Sequence, residues 1–201
     1  MLEASDLECE RGGRVLFRGL SFALGRGELL RIAGANGRGK TSLLRILCGL
    51  AAPHAGEVRW NGAAIRALGE DFSRDLLYLG HAPALKDDLT AEENLAIACT
   101  LGGDAAQPGG IRAALERLEV PQGMLVKKLS QGQRRRALLA RLVASGARPL
   151  WLLDEPLAAL DTGAARIVEA LVAEHAARGG MAIYTTHQES RMGGREIRLD
   201  A

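Results

Sequence analysis

The sequence predicts an α/β protein with a largely parallel sheet core, an N-terminal antiparallel β layer and an inserted helical subdomain. Short apolar runs alternate along the chain with helical patterns, which is typical of βαβ units. A glycine-rich turn at 34–39 joins an apolar run to a helical pattern, so that strand, turn and helix follow one another there. Helical patterns dominate roughly 82–146, which we interpret as a subdomain inserted into the α/β core.

The first part of the chain contains the β layer and the first βα unit. Residues 56–62 (GEVRWNG) predict a strand that ends in an Asn61–Gly62 turn, because this dipeptide favours tight hairpins. An antiparallel layer is therefore expected on one side of this part. The other elements predicted here are two shorter strands, a buried strand and a helix, at 3–10, 14–24, 29–34 and 40–50.

The middle of the chain predicts helices that begin at capping residues. Thr90 and Glu93 have capping-box spacing, and Ser130 and Gln133 repeat it at the start of a longer helix (QRRRALLARLVAS). Four glycines and one proline between 102 and 110 predict a flexible linker. The remaining predicted elements are a strand at 75–80, a short helix at 111–120, a strand at 149–156, a helix at 161–178, and strands at 181–187 and 196–200.

Composition limits the class of protein. The 201 residues, 21.3 kDa, include 26 Lys+Arg and 24 Asp+Glu, so the net charge of +2 does not suggest a strongly electrostatic DNA-binding protein. A hydrophobic fraction of 47% excludes a disordered chain. No run reaches the roughly 18 apolar residues of a membrane span, and the start (MLEASDLECERGG) lacks the apolar core of a signal peptide. We expect one soluble cytoplasmic domain over 1–201.

The three cysteines indicate neither a disulfide framework nor a zinc site. Cys9, Cys48 and Cys99 are odd in number and show no CxxC spacing. We interpret them as core or helix residues.

A phosphate-binding loop is the first chemical signal. Residues 34–41 (GANGRGKT) match GxxxxGK[ST] directly after a strand and at the start of a helix. Glycines let successive backbone N–H groups converge on phosphate oxygens, and the helix N-terminus adds partial positive charge. Lys40 supplies a cation for the β- and γ-phosphates, and the Thr41 hydroxyl is a natural Mg²⁺ ligand. The predicted nucleotide-binding residues here are Gly34, Asn36, Gly37, Gly39, Lys40, Thr41 and Ser42.

Two carboxylates stand at the C-terminal end of the apolar strand predicted at 149–156. Ligands of open α/β sheets bind at the carboxyl ends of the strands, where Asp154 and Glu155 stand. Asp154 is predicted to hold Mg²⁺, directly or through water. Glu155 is predicted to polarise the attacking water as general base. The expected cofactors are therefore ATP and Mg²⁺.

Three further segments carry a resemblance to a known family. The sequence LSQGQ at 129–133 resembles the LSGGQ signature of ABC ATPases, ALD at 159–161 resembles their D-loop, and Thr186–His187 resembles their switch histidine. With the phosphate loop and the Asp–Glu pair, the five motifs occur in the family's order and cover essentially the whole chain. The resemblance implies a P-loop NTPase fold of ABC ATPase type.

The resemblance also implies how such a chain works. Two chains would form a homodimer around two ATP molecules, with Ser130, Gly132 and Gln133 docking on the γ-phosphate bound by the other chain. Ser130 is equally a plain helix N-cap, and both roles are compatible. Catalysis would use Glu155 as base, His187 on the γ-phosphate side, and Lys40 on the phosphates.

Other segments resemble a narrower group, the ATP-binding subunits of the cytochrome c maturation system, also described as haem exporter ATPases. They are LGHAPALKDDLTAEENL at 79–95 and TTHQ at 185–188. This resemblance implies integral membrane partners and a peripheral place on the cytoplasmic face of a bacterial inner membrane. Hydrolysis would energise release of a haem-loaded chaperone, or haem-linked export. No nucleic-acid partner and no direct haem binding are expected.

Two positions depart from the general family pattern. Most ABC ATPases have a glutamine where this sequence has His81, which either touches the Mg²⁺ shell or water, or is a structural loop residue. Many stack adenine on an aromatic residue in a stretch where only Arg11 could stack, and a solvated turn arginine is the other interpretation. Weak discrimination between ATP and GTP is therefore predicted. The basic cluster Arg134–Arg136 is interpreted as solvated or paired with an acidic partner surface, and not as bound to nucleic acid.

A second function class remains open at this stage. A soluble ABC-type ATPase in a non-transport role, such as a cluster-assembly scaffold ATPase, would carry the same motifs. A P-loop kinase outside the ABC family would leave LSQGQ unexplained.

Overall fold

The computed structural model describes residues 1–82, 84–104, 107–145, 148–187 and 190–199. Its first half contains β1 (Leu2–Arg11), β2 (Arg14–Leu24), β3 (Leu29–Ala33), α1 (Lys40–Leu47), β4 (Ala55–Trp60), β5 (Ala63–Ala64), α2 (Ile65–Leu68), α3 (Glu70–Asp75) and β6 (Leu76–Leu79). The second half contains α4 (Ala91–Gly102), α5 (Pro108–Arg117), a 3₁₀ turn (Val126–Lys128), α6 (Gln131–Leu139), α7 (Arg141–Ala144), β7 (Leu150–Leu153), α8 (Thr162–Ala177), β8 (Met181–Thr185) and β9 (Arg195–Arg198).

An antiparallel sheet in the order β2-β1-β4-β5 forms the expected N-terminal layer. The turn between β4 and β5 is the predicted one, since Asn61 and Gly62 both have positive φ, at 50° and 85°. The strand β2 has the predicted bounds 14–24, and β1 extends the predicted 3–10 by one residue at each end. Register shifts along their pairing let this long ribbon curve over the core.

A second sheet has the order β6-β7-β8-β3-β9, and all its neighbours are parallel. Successive residues of its strands face opposite sides. Trp151 and Leu153 pack in the core shared with the helices after β6, whereas Leu150 and Leu152 pack in the core beneath the antiparallel sheet. The sheet is thus covered on both faces, as the predicted α/β architecture requires.

The helices α4 to α7 lie between β6 and β7, where the sequence predicts an inserted helical part. Both capping boxes are present: Thr90 with Glu93 starts α4, and Ser130 with Gln133 starts α6. The longer helix predicted after Ser130 is interrupted at Ala140, so α6 and α7 are separate. The boundaries of the subdomain, 82–146, stay a prediction.

The predicted linker at 102–110 is wrong over its second part. Pro108, Gly109 and Gly110 form the first turn of α5, with Pro108 in the first helical position. Proline suits that position because its missing N–H would have no partner inside the helix. The linker residues 105 and 106 lie outside the described residues.

Two short helices, α2 and α3, were not predicted. They fill the connection between β5 and β6, where Phe72 is buried against Trp60. Helices of four and six residues are too short for the apolar spacing that identifies longer ones. Within the described ranges, no helix is long and apolar enough to cross a membrane.

Candidate functional site

The carboxyl ends of four adjacent parallel strands bring most predicted site residues to one edge of the sheet. The loop starting at Gly34 follows β3, Asp154 and Glu155 follow β7, His187 lies two residues beyond β8, and His81 lies two residues beyond β6. Residues far apart in the sequence thus meet because their strands are neighbours. This is the edge at which open α/β sheets bind ligands.

Glycine is required in the phosphate loop by backbone conformation and by close approach. Gly34, Gly37 and Gly39 have φ of 142°, 79° and 95°, a region that residues with a Cβ rarely adopt. A Cβ on Gly34 would lie 2.9 Å from the carbonyl oxygen of Leu199. A Cβ on Gly39 would lie 3.0 Å from the Cβ of Leu16. The loop is therefore held by β2 and by the residue that follows β9.

Lys40 begins α1 and turns its side chain back over this loop. Its Nζ donates hydrogen bonds to the carbonyl oxygens of Gly34 at 2.7 Å and Ala35 at 3.1 Å, and the residue is 8% exposed. Burial lowers the pKa of this amine, and the charges of Glu155 and Asp154 oppose that shift. The lysine cation thus shares the site with both carboxylates, as the sequence predicts.

A chain of hydrogen bonds joins the loop to the two carboxylates. Thr41 Oγ1 donates to Asp154 Oδ2 at 2.8 Å, and Thr185 Oγ1 donates to Asp154 Oδ1 at 2.8 Å. The same Thr185 oxygen accepts from the backbone N–H of Glu155 at 2.8 Å. Asp154 is 2% exposed, so its carboxylate is held from both sides.

The adjacent oxygens of Thr41 and Asp154 fit a hard cation such as Mg²⁺, which prefers hydroxyl, carboxylate and phosphate oxygens. These two residues are the predicted metal ligands. That assignment stays a prediction, for which the two oxygens are close enough to contact one ion.

Glu155 and His187 form the second part of the site. The imidazole Nε2 of His187 lies 3.1 Å from Glu155 Oε1, and the backbone N–H of His187 donates to Oε2 at 3.3 Å. The side chain of Glu155 is 13% exposed, whereas that of His187 is 46% exposed. Glu155 Oε1 is buried and accepts no hydrogen bond from a described residue. It is a carboxylate oxygen with free capacity to accept a proton or a hydrogen bond.

The signature segment lies at the start of α6. Ser130 Oγ accepts from the N–H of Gln133 at 3.2 Å, and Gln133 Oε1 accepts from the N–H of Ser130 at 2.9 Å. A Cβ on Gly132 would lie 3.3 Å from the carbonyl oxygen of Ala159, so this glycine packs closely on the predicted D-loop. Among the described residues, no hydrogen bond joins 129–133 to 34–42. The segment is thus not part of the chain's own phosphate loop.

His81 and Arg11 are less closely tied to the site. The His81 side chain is exposed and makes no hydrogen bond with the described part of the chain. Arg11 is exposed at the end of β1, two residues after Cys9. Burial raises the pKa of the Cys9 thiol, while Arg11 and a hydrogen bond to Ser42 oppose the shift. The β1 end therefore lies beside the start of α1, and the roles of both residues stay predictions.

Arg135 is the residue that sequence reasoning missed. With its neighbours it was interpreted as solvated or paired with an acidic partner surface, and the solvated interpretation is wrong for Arg135, which is 5% exposed. Arg134 and Arg136 pair with acids of the same chain, Asp87 at 2.9 Å and Glu119 at 3.1 Å. The available signal was spacing, since Arg135 precedes the buried residues Leu138 and Leu139 by three and four positions on one helix.

Comparison with known proteins identifies the family. A family model described as ABC transporter matches residues 17–158. The cytochrome c biogenesis ATP-binding export protein CcmA of Aromatoleum aromaticum is 53% identical over 192 residues, covering 94% of this chain and 90% of that protein. The CcmA of Nitrosospira multiformis is 50% identical over 198 residues, covering 98% and 96%. The chain belongs to the ABC transporter family, among its CcmA proteins.

Solved structures agree with this at the level of the fold. The ATP-binding cassette MJ0796, in a dimeric post-hydrolysis state bound to ADP and Pi, is 22% identical with a TM-score of 0.86, covering 100% of this chain and 94% of that one. An ATP-binding subunit of an ABC transporter has a TM-score of 0.80 at 24% identity, covering 92% and 79%. The P-loop NTPase fold of ABC type is confirmed, and this ABC chain is an ATP-binding ATPase.

Proposed function

We propose that this chain is the ATP-hydrolysing subunit of a membrane ABC complex for cytochrome c biogenesis. Its hydrolysis would energise release of a haem-loaded chaperone or haem-linked export. The observation that carries the biological role is the identity of about half over nearly the whole chain with CcmA proteins, which are named as cytochrome c biogenesis ATP-binding export proteins. The site geometry carries the chemistry.

The first step is binding of ATP on the phosphate loop. Backbone N–H groups of 34–41 and the N-terminus of α1 bind the phosphate oxygens. Lys40 Nζ, now on the carbonyls of Gly34 and Ala35, exchanges them for the β- and γ-phosphates. Mg²⁺, held by Thr41 and Asp154, would neutralise the developing charge on the phosphate oxygens. Asn36 and Ser42 border the same loop.

The second step is attack of water on the γ-phosphorus. Glu155 Oε1 has a free acceptor position, so it orients the water and takes its proton. The oxygen of that water bonds to phosphorus while the bond to the β–γ bridging oxygen breaks, and ADP leaves with the electron pair. His187 beside Oε1 holds the Glu155 carboxylate and lies on the γ-phosphate side. His81, at the end of the neighbouring strand β6, would contact the water or the metal shell.

The active form is proposed to be a homodimer. The capping box of α6 uses the N–H groups of Ser130 and Gln133, so a phosphate would be bound by the helix N-terminus near Gly132 and by the side chains of Ser130 and Gln133. They make no hydrogen bond to the loop of their own chain within the described residues, so they would serve the ATP of a second chain. Arg11 would lie against the adenine. The name of MJ0796 describes a dimeric cassette, which supports this arrangement by analogy.

Integral membrane subunits and the cytoplasmic face of a bacterial inner membrane are the proposed partners and location. The export-protein names of the relatives support this. An affinity-tagged chain expressed in its own cells should be recovered in part with the membrane and with integral membrane proteins. Recovery wholly free of membranes and membrane proteins would contradict the proposal and favour the scaffold-type ATPase.

The chemistry is tested by Glu155→Gln. The amide keeps the shape of the side chain but does not accept a proton, so ATP binding should persist while turnover falls about 100-fold or more. ATP-dependent dimers should then accumulate on size-exclusion chromatography. Turnover at the wild-type rate would exclude Glu155 as the base. A monomer at saturating ATP would contradict the homodimer.

A further inference from the structure

Arg135 donates hydrogen bonds to four backbone carbonyls that belong to two different loops. Its Nη1 donates to the carbonyls of Gly80 and His81, both at 3.3 Å. Its Nη2 donates to the carbonyls of Asp154 at 3.0 Å and Glu155 at 2.6 Å. One guanidinium thus joins the residues after β6 to those after β7, directly behind the catalytic edge.

This contact is set by geometry as well as by charge. A guanidinium is planar and presents its donors in a fixed fork, so four carbonyls can be met from one direction only. The whole residue is 5% exposed, and Asp154 and Glu155 provide the negative charge that makes burial of the cation tolerable. A lysine would keep the charge but not the fork.

Glu155 needs a restraint at this place. Its φ is 51°, in the left-handed region that residues with a Cβ seldom adopt. Three backbone hydrogen bonds hold it there: its N–H donates to Thr185 Oγ1, and its carbonyl accepts from Arg135 Nη2 and from the N–H of Ala158 at 3.1 Å. With the peptide groups on both sides of its Cα fixed, the carboxylate is aimed toward His187.

Arg135 also connects this restraint to the signature segment. It lies five residues after Ser130 in α6, about one and a half helical turns along. The exposed, capped end of the helix and the carbonyls behind Glu155 are therefore rigidly related. The same helix that would face the partner's nucleotide holds the backbone of the chain's own base.

We propose that Arg135 is a positioning residue for hydrolysis, which fixes the backbone of Glu155 and of the His81 loop relative to the signature helix. This rests on the proposed role of Glu155 as base. Arg135 does not touch ATP. Its loss should therefore reduce turnover and leave nucleotide affinity unchanged.

The test compares Arg135→Gln and Arg135→Lys with Arg134→Gln in the full chain. Arg134 lies on the same helix and pairs with Asp87, so Arg134→Gln is a matched control that leaves the contacts of Arg135 with the carbonyls in place. We expect Arg135→Gln to lower kcat for Mg·ATP about 10- to 100-fold, because small misplacement of a catalytic group costs this much. KM and the dissociation constant for ATP should change less than threefold. Arg135→Lys should fall between, and Arg134→Gln should match the wild type.

Each outcome decides between positioning and plain stability. If kcat and ATP affinity fall together in both Arg135 variants, with a lower unfolding temperature, the residue only supports the fold and the proposal is wrong. If kcat is unchanged, or Arg134→Gln is equally slow, it is also wrong. The role of Glu155 is read separately from Glu155→Gln, and the membrane role from co-purification, so a failure of either is not confused with a failure here.

Discussion

Replacing Thr185 measures how much its hydroxyl contributes to holding Asp154 and Glu155 in place. The residue is fully buried. Its hydroxyl donates to Asp154 Oδ1 and accepts from the N–H of Glu155, each at 2.8 Å. Thr185→Val keeps the shape of the side chain and the strand preference of a β-branched residue, and it removes both contacts. The change therefore isolates the hydroxyl.

The expected cost follows from the two partners. A hydrogen bond to a charged group contributes about 1.5–3 kcal/mol and a neutral one about 0.5–1.5 kcal/mol, so the free energy of unfolding should fall by about 2–4.5 kcal/mol. Turnover should fall as well, because both the Glu155 backbone and the Asp154 carboxylate lose a restraint. We expect a loss of kcat of roughly tenfold or more.

The assay is urea unfolding followed by circular dichroism, together with steady-state ATP hydrolysis. Thr185→Ser is the control, since it keeps the hydroxyl and loses only a methyl group, at a cost of about 1 kcal/mol. It should retain most of the turnover. If Thr185→Val unfolds at the wild-type urea concentration and hydrolyses ATP normally, the hydroxyl does not hold the carboxylates and this reasoning is wrong.

Three further predictions test the loop, its cation and a distant histidine. Gly34→Ala should lower the free energy of unfolding by about 1–3 kcal/mol and weaken ATP binding, because the new Cβ would lie 2.9 Å from the Leu199 carbonyl oxygen. Gly109→Ala is the control, since its Cβ would meet open space, and it should have neither effect. Thermal melts and nucleotide titrations measure both variants. Lys40→Ala should reduce ATP hydrolysis about 100-fold or more in a phosphate-release assay, and activity near the wild-type level would remove Lys40 from the phosphates. Burial lowers the pKa of His175 below its usual 6.5, so the unfolded chain binds this proton more readily and stability should fall as pH drops below about 6.5. His175→Phe keeps a ring stacked on Trp151. The decrease in melting temperature from pH 7.5 to pH 5.5 should be smaller in this variant than in the wild type. An equal decrease would exclude His175 as the source of the pH dependence.

The strands and the phosphate loop were predictable because each depends on local sequence. The apolar run at 29–34 ends in glycine. The spacing of the glycines at 34, 37 and 39 before Lys40 leaves few alternatives to a strand, a turn and the start of a helix. The capping boxes at Thr90 and Ser130 likewise depend on residues three apart, and both are present. The first turn of α5 was missed because glycines at 109 and 110 disfavour a helix locally, while the packing of Ile111, Ala114 and Leu115 in the core stabilises it.

The site itself was predictable as a set of residues but not as a network. The sequence places Asp154 and Glu155 at a predicted strand end, and the resemblance to the ABC switch histidine adds His187 to them. Nothing in the sequence shows that Thr185 would join the Asp154 carboxylate to the backbone N–H of Glu155, because a threonine at a strand end is common. That role depends on the β7–β8 register, which pairs Leu153 with Tyr184 and brings the next residues side by side.

Arginine at position 135 is informative because its net contribution to stability is smaller than its four hydrogen bonds alone would suggest. Its four hydrogen bonds come from a charged donor and contribute about 1.5–3 kcal/mol each, and the cost of removing a guanidinium from water, several kcal/mol or more, offsets much of this gain. A leucine there would extend the apolar stripe of Leu138 and Leu139, but it would leave the four carbonyls without this donor. It would not hold the left-handed backbone of Glu155 in one direction. What the arginine adds is orientation of the carboxylate, which matters for the rate of a reaction and much less for the free energy of folding.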